Sequence, residues 1–279
     1  MKGQTAPHAG DELSGELDPG VRERLAGAAR SRSTIYRALA IGFTEPDEDL
    51  RDALAADAPA VAAPADAATL GAAAAGVGPP GAGTLVRKLA ATVEWLGPDA
   101  RLYETALQTL TTAGAGCPPL SALAAEFARL FTGPGRAAVG RFASQYLDEP
   151  GPDGRPRLHG PATDAALSTY QAEGLTPRTS LGEPGDDVAT ELEFLAWLCS
   201  REEQQWIEGS TEEALRLRRS SDRFLREHCA HWWPAFAEVV IAQTRISIYR
   251  GLAQLLAAHL AIELGYPHSV SWTSSAPSI

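Results

Sequence analysis

Residues 235–264 read AFAEVVIAQTRISIYRGLAQLLAAHLAIEL, and how this stretch is parsed decides the fold. Two pieces of it, Val239-Val240-Ile241 and Ile246-Ser247-Ile248, are β-branched enough to pass for strands. Ile241, Ile248, Leu252 and Leu255 nevertheless keep the 3.6-residue period, over a length no ordinary strand reaches. The stretch is therefore predicted to be one long helix. Working back along the chain, helical spacing recurs over 28–43, where Ile35, Tyr36, Leu39 and Phe43 share a stripe and Pro46 follows. It recurs again over 84–96, 99–112, 120–131, 184–208 and 211–229. Thr163 is a good N-cap for a further helix over 164–173, with Gly174 at the expected C-terminal position. No segment alternates convincingly with period 2. The expectation is an all-α fold in a single globular multi-helix domain over 23–265.

The flanks and connectors read differently. Residues 1–22 are polar, acidic and punctuated by Gly and Pro, which predicts a disordered tail; a second short tail is expected at 266–279. Residues 57–83 are nearly all Ala, Gly and Pro, and Pro59, Pro64, Pro79 and Pro80 limit any helix there to a short piece inside a loose connector. Residues 132–161 are rich in Gly and Pro and predict a long loop, a kind of segment that is usually functional or mobile.

Composition narrows the function classes. The chain has 279 residues, 44% of them hydrophobic, with a formal net charge of -11. That charge argues against nucleic acid or an anionic membrane surface as the main partner. Cys117, Cys199 and Cys229 are widely separated, so neither a disulfide framework nor a zinc knuckle is expected. The first twenty residues lack the apolar core of a secretory signal, and no run reaches the length of a membrane span. A soluble, cytoplasmic protein is the expectation. GxSxG, HExxH and Ser/His/Asp arrangements are absent from the sequence, so no catalytic residues, metal or cofactor are assigned and the chain is not read as an enzyme.

Two stretches hold the candidate site. Residues 126–146 read EFARLFTGPGRAAVGRFASQY: a helix ends on Leu130-Phe131, breaks at Gly133-Pro134-Gly135, and the chain re-emerges at Phe142-Ala143-Ser144-Gln145-Tyr146. Leu130 and Phe131 are either the buried end of a helix or the wall of a groove for a partner segment. Residues 183–194 read EPGDDVATELEF, with Asp186, Asp187, Glu191 and Glu193 close together. Asp186 and Asp187 suit the first turn of a helix, where carboxylates offset unpaired N–H groups. Glu191, one turn further on, is less well explained that way, and an acidic edge for a cationic peptide is the alternative. A di-metal carboxylate centre would need Glu-x-x-His repeats, and Glu191 is followed at the third position by Phe194. His228 and His231 read as a helix end complementing the dipole, and Arg129 and the arginines of 215–226 as solvated faces, with Glu212–Arg216 and Asp222–Arg226 spaced for ion pairs.

Several blocks in order resemble the TorD/DmsD/NarJ family of chaperones that mature molybdenum-containing redox enzymes. The first is Glu126-Phe127-Ala128-Arg129-Leu130-Phe131-Thr132-Gly133-Pro134, followed by the aromatic-x-Ser-x-Tyr segment Phe142 to Tyr146. The next runs from Gly160-Pro161-Ala162-Thr163 to Tyr170 and Gly174-Leu175, and the third is Glu183 to Phe194. Trp232-Trp233-Pro234-Ala235-Phe236 ahead of the apolar stretch completes the resemblance, which covers about 28–264. Two departures stand out: Asp187 occupies the place of the family's His, and Gly140-Arg141 replace the usual prolines. The resemblance implies binding rather than turnover. The implied partner is the N-terminal leader, often a twin-arginine signal, of the catalytic subunit of a DMSO-reductase-like molybdopterin oxidoreductase, held for cofactor insertion before Tat export. Leu130, Phe131, Phe142 and Tyr146 would form the wall of the client site, with Ser144 and Phe194 beside it and Asp186, Asp187 and Glu191 as a carboxylate rim. The client's identity and homo-oligomerisation stay open. The alternative is a helical adaptor or regulatory protein-binding module without a redox client.

Overall fold

The computed structural model of the chain describes residues 17–55, 83–94, 97–133, 137–177 and 184–265. Most of the predicted connector, both chain ends beyond these bounds, and Pro134 and Gly135 of the turn lie outside the described residues. Those described form helices α1 (Pro19–Gly42), α2 (Glu48–Leu54), α3 (Thr84–Glu94), α4 (Glu104–Ala115), α5 (Leu120–Phe127), α6 (Ser144–Leu147), α7 (Pro161–Ala172), α8 (Val188–Glu208), α9 (Thr211–Glu227), α10 (Trp233–Gln243) and α11 (Ser247–Glu263). The all-α expectation holds: the sole β pairing among the described residues is an isolated antiparallel bridge between Phe142 and Asp187.

α1 and α8 form the central pair, with α9 against α8 and α11 against α4 and α10. α1 begins earlier than the sequence suggested. Asp18 caps it by accepting from the Gly20 and Val21 amides at 2.9 and 3.2 Å, and Pro19 supplies a first-turn residue that needs no hydrogen-bonded amide. Residues 19–22 therefore belong to the helix and not to the tail. Apolar side chains of α1, α4, α8, α10 and α11 make one contiguous core, including Tyr36, Leu110, Leu195, Phe236 and Leu252. Across the α1–α8 seam the buried Arg32 reaches both carboxylate oxygens of Glu202 at 2.8 Å, and Trp206 donates to the same carboxylate at 3.1 Å.

α8 ends on Gly209, whose φ of 80° lies in the left-handed region. Gly209→Ala is expected to lower stability by about 1–2 kcal/mol, because a Cβ in that conformation crowds the following carbonyl. Urea unfolding of the variant checks this, and an unchanged midpoint would mean that the turn relaxes to another conformation.

Other expectations for the helices change as well. The predicted helix 235–264 is broken at Thr244–Ile246 into α10 and α11. Glu126, from α5, holds the break: its Oε1 accepts from the Arg245 amide at 2.6 Å and from the Thr244 hydroxyl at 3.3 Å. Arg129 pairs with Glu126 at 2.7 Å and donates to the Gln243 carbonyl at 2.7 Å, satisfying the end of α10. Arg129 is thus a clamp between helices and not a solvated residue. At α7 the predicted cap Thr163 is buried inside the first turn, and Asp148 takes the capping role by accepting from the Ala162 amide at 3.1 Å. On α9, Arg216 pairs with Glu173 and Glu213 at 2.9 Å rather than with Glu212, while Arg226 pairs with Asp222 at 3.0 Å as expected.

Candidate functional site: a seam at the start of α8

α5 does not end cleanly. At Ala128–Thr132 it widens into a π-turn closed by the Gly133 amide on the Ala128 carbonyl, a distortion common near functional sites. The chain then folds back along the same turn, with Val139 N–H donating to the Leu130 carbonyl at 2.8 Å. It next clips onto the residues before α8: Val188 N–H donates to the Arg141 carbonyl and Ala143 N–H to the Asp186 carbonyl, both at 2.9 Å. The two sequence blocks 126–146 and 183–194 are thereby joined in space.

The nine residues predicted for the client site divide sharply. Leu130 is fully buried and Phe131 is 6% exposed, packed among Phe43, Phe127, Phe236 and Tyr249 with centroid separations of 5.1–6.2 Å. Phe194 is buried against Tyr170 and Phe224. Ser144 and Asp186 are also buried, tied together by the Ser144 amide donating to Asp186 Oδ2 at 2.7 Å. An open wall at Leu130 and Phe131 is therefore absent, because the turn folds their side chains into an aromatic cluster. Phe142 and Tyr146 remain partly exposed. Tyr146 donates its hydroxyl to the Gly140 carbonyl at 2.8 Å and packs its ring 5.4 Å from Trp232.

The expected carboxylate rim is likewise internal at its centre. Glu191 has no solvent exposure. It is a hub: Trp233 Nε1 donates to Oε2 at 2.9 Å, Trp232 Nε1 to the same oxygen at 3.1 Å, and His228 Nε2 lies 2.7 Å from Oε1. Burial pushes the Glu191 carboxyl up to about 7, against the lowering effect of His228 and the Trp233 indole. Burial pulls His228 down, but its contact with Glu191 outweighs this and the imidazole ends above its ordinary range. Sequence reading treated His228 as a dipole complement; the one local signal of the hub was a Glu too far along α8 to serve the helix end. Asp187 does cap α8, accepting from the Ala189 amide at 2.9 Å, and it pairs with Arg141. Asp186 lies just before the helix.

Beside the seam lies a groove of about 940 Å³, lined by Ala137, Val139, Gly140, Tyr146, Leu158 and Val239 among others. Its volume is that of a ligand cleft. Among the described residues Arg155 is the one charged side chain lining it, so the groove suits an uncharged or apolar segment. Of the nine predicted residues Tyr146 alone lines it, and neither Leu158 nor Val239 carried any sequence signal as a site residue. No group of three or more His, Cys, Asp or Glu that could hold a metal exists among the described residues, and Cys117, Cys199 and Cys229 are free thiols. No helix of the described residues is long and apolar enough to cross a membrane.

The π-turn, the clipped loop and the groove thus lie together beside the start of α8. The family model described as nitrate reductase delta subunit matches residues 98–238, which contain the whole seam, and the chain belongs to this TorD/NarJ family. Two of its relatives carry the names of chaperones. It is 33% identical over 138 residues to a chaperone protein TorD of Vibrio cholerae serotype O1, covering 50% of this chain and 59% of that protein. It is 31% identical over 167 residues to the selenate reductase assembly chaperone protein of Thauera selenatis, covering 58% of this chain and 80% of that one. The alignment thus spans a little over half the length of the TorD relatives. A solved redox enzyme maturation protein from Archaeoglobus fulgidus superposes with a TM-score of 0.41 at 19% identity, over 82% of this chain and 93% of that chain.

Proposed function

We propose that this chain is a cytoplasmic assembly chaperone. It binds the N-terminal leader region of the catalytic subunit of a molybdopterin-containing oxidoreductase and holds that subunit for cofactor insertion before Tat export. The observation that carries the reading is the groove beside the α8 seam, whose lining apart from Val239 falls within the family-matched residues. A leader segment is apolar over much of its length, and a groove with a single charged lining residue suits that part of it. Tyr146 contacts the segment directly from the groove wall, with the partly exposed Phe142 near it on the same stretch of chain. Leu130, Phe131, Ser144, Asp186, Asp187, Glu191 and Phe194 support the seam that positions them, in place of the open wall and rim that the sequence suggested. The names of the TorD and selenate reductase relatives support a molybdoenzyme client.

Fluorescence anisotropy with a labelled client N-terminal peptide tests this. Tyr146→Ala is expected to weaken binding about tenfold, near 1.4 kcal/mol, since a partly exposed aromatic in a groove is a hot-spot residue. Tyr146→Phe, which keeps the ring and loses only the bond to Gly140, should bind within about threefold of the parent, as expected when one modest hydrogen bond is removed. Unchanged affinity in Tyr146→Ala would move the client site elsewhere.

A further inference from the structure

Arg141, from the stretch after the π-turn, and Asp187, from the stretch before α8, meet in space. Arg141 Nη2 donates to Asp187 Oδ1 at 2.8 Å, and Arg141 Nε donates to Asp187 Oδ2, so the guanidinium forks the carboxylate. The same Nη2 lies 3.4 Å from the Phe43 carbonyl oxygen, and Cζ stands 5.5 Å from the centroid of the Phe127 ring. A carboxylate fork, a carbonyl acceptor and an aromatic face are together what distinguishes a guanidinium from an ammonium. The receiving groups are held in place independently of Arg141's side chain. Asp187 is fixed as the cap of α8 by the Ala189 amide, and Phe127 is packed in the aromatic cluster. The contact is not sealed, with the Arg141 side chain at 16% exposure and Asp187 at 12%. Gly140, one residue before Arg141, lines the groove, so the contact follows the groove lining by one residue along the chain.

We propose that Asp187, the Phe127 ring and the Phe43 carbonyl form a guanidinium-specific site that Arg141 fills in cis and that an arginine side chain of the client competes for. The competition rests on the chaperone reading above; the site itself does not. Arg141 then acts as a selectivity device. A client segment offering an isolated or poorly placed arginine gains nothing at this site, whereas one whose apolar part is already seated in the groove presents its arginine at high local concentration and displaces Arg141.

Arg141→Ala vacates the site, and thermal unfolding in added small cations reads it. Methylguanidinium at about 20 mM is expected to raise the Tm of Arg141→Ala by about 2 °C relative to the same concentration of methylammonium, because a ligand of the folded state alone stabilises it. The parent protein should show no such difference, and neither should Arg141→Ala combined with Asp187→Asn. In anisotropy, Arg141→Ala is expected to bind the arginine-bearing client peptide about tenfold more tightly and the same peptide with its arginines changed to alanine no differently. Equal responses to the two cations would overturn the site, whatever the peptides do. Selective protection by methylguanidinium with no gain for the arginine peptide would overturn the competition. Peptides that bind neither parent nor variant would count against the chaperone reading, while the selective protection upholds the site. Should the alanine variant not fold, Arg141→Lys carries the same comparison, since an ammonium cannot fork the carboxylate.

Discussion

Phe131→Ala is expected to lower the stability of the protein by about 3–5 kcal/mol while leaving the client affinity of the folded fraction within about twofold. Phe131 is 6% exposed and sits at the centre of four rings: Phe127 at 5.1 Å, Phe236 and Tyr249 at 6.1 Å and Phe43 at 6.2 Å. Truncation empties a site bounded by α1, α5, α10 and α11, elements fixed by other contacts and unable to collapse far. The π-turn adds to the effect, since the widened backbone at Ala128–Thr132 is held by what its side chains bury. Urea unfolding gives the stability, and anisotropy under native conditions gives the affinity. A small stability change with a large loss of affinity would place Phe131 in a groove that opens in solution.

Glu191→Gln is expected to destabilise the protein more at pH 5.5 than at pH 8. In the parent, the buried carboxyl titrates near 7 against an ordinary value of 4.5, so the folded state holds a proton that the unfolded chain releases. A raised value contributes stability that is fully present below about 4.5 and lost as pH rises through about 7. His228, also raised, acts in the same direction, its contribution present below 6.5 and lost as pH rises through its folded value. Glutamine removes both effects, because His228 loses the partner that raised it. The difference between parent and variant should shrink by about 2 kcal/mol from pH 5.5 to pH 8, a tenfold change in proton affinity being worth about 1.4 kcal/mol. The comparison must be made as a difference. Burial lowers His259 to about 4, so this group costs the parent stability as pH falls below 6.5. The variant shares this cost. Urea midpoints at the two pH values decide the matter, and a pH-independent difference would mean that the hub does not titrate in this range.

The sequence and structure agree where information is local. Helices α8 and α9 fall close to where periodicity put them, and Gly174 and Gly209 both take the positive φ that ends a helix. Disagreement appears wherever a distant residue supplies the decisive bond. Nothing within 235–264 announces the break at Thr244–Ile246, because its polar groups are satisfied by Glu126 and Arg129 from α5 and the turn that follows it. Glu191 is a carboxylate too far into its helix to serve the helix end, and its partners His228, Trp232 and Trp233 lie some forty residues on. A charged side chain on an apolar face reads as a rim when its partners are invisible, and as a hub once they are seen. The seam itself was legible, since the two quoted stretches do meet. The groove was not: Leu158 and Val239 line it only because the loop after Gly133 folds back toward α10.

The chaperone reading is tested most directly by co-expressing the chain with the catalytic subunit of a molybdopterin oxidoreductase and weighing the purified complex by native mass spectrometry. The expected result is a complex with the cofactor-free subunit that is lost when the subunit's N-terminal leader is deleted and weakened when cofactor is present. A complex that forms equally well without the leader, or no complex with either form of the subunit, would contradict it.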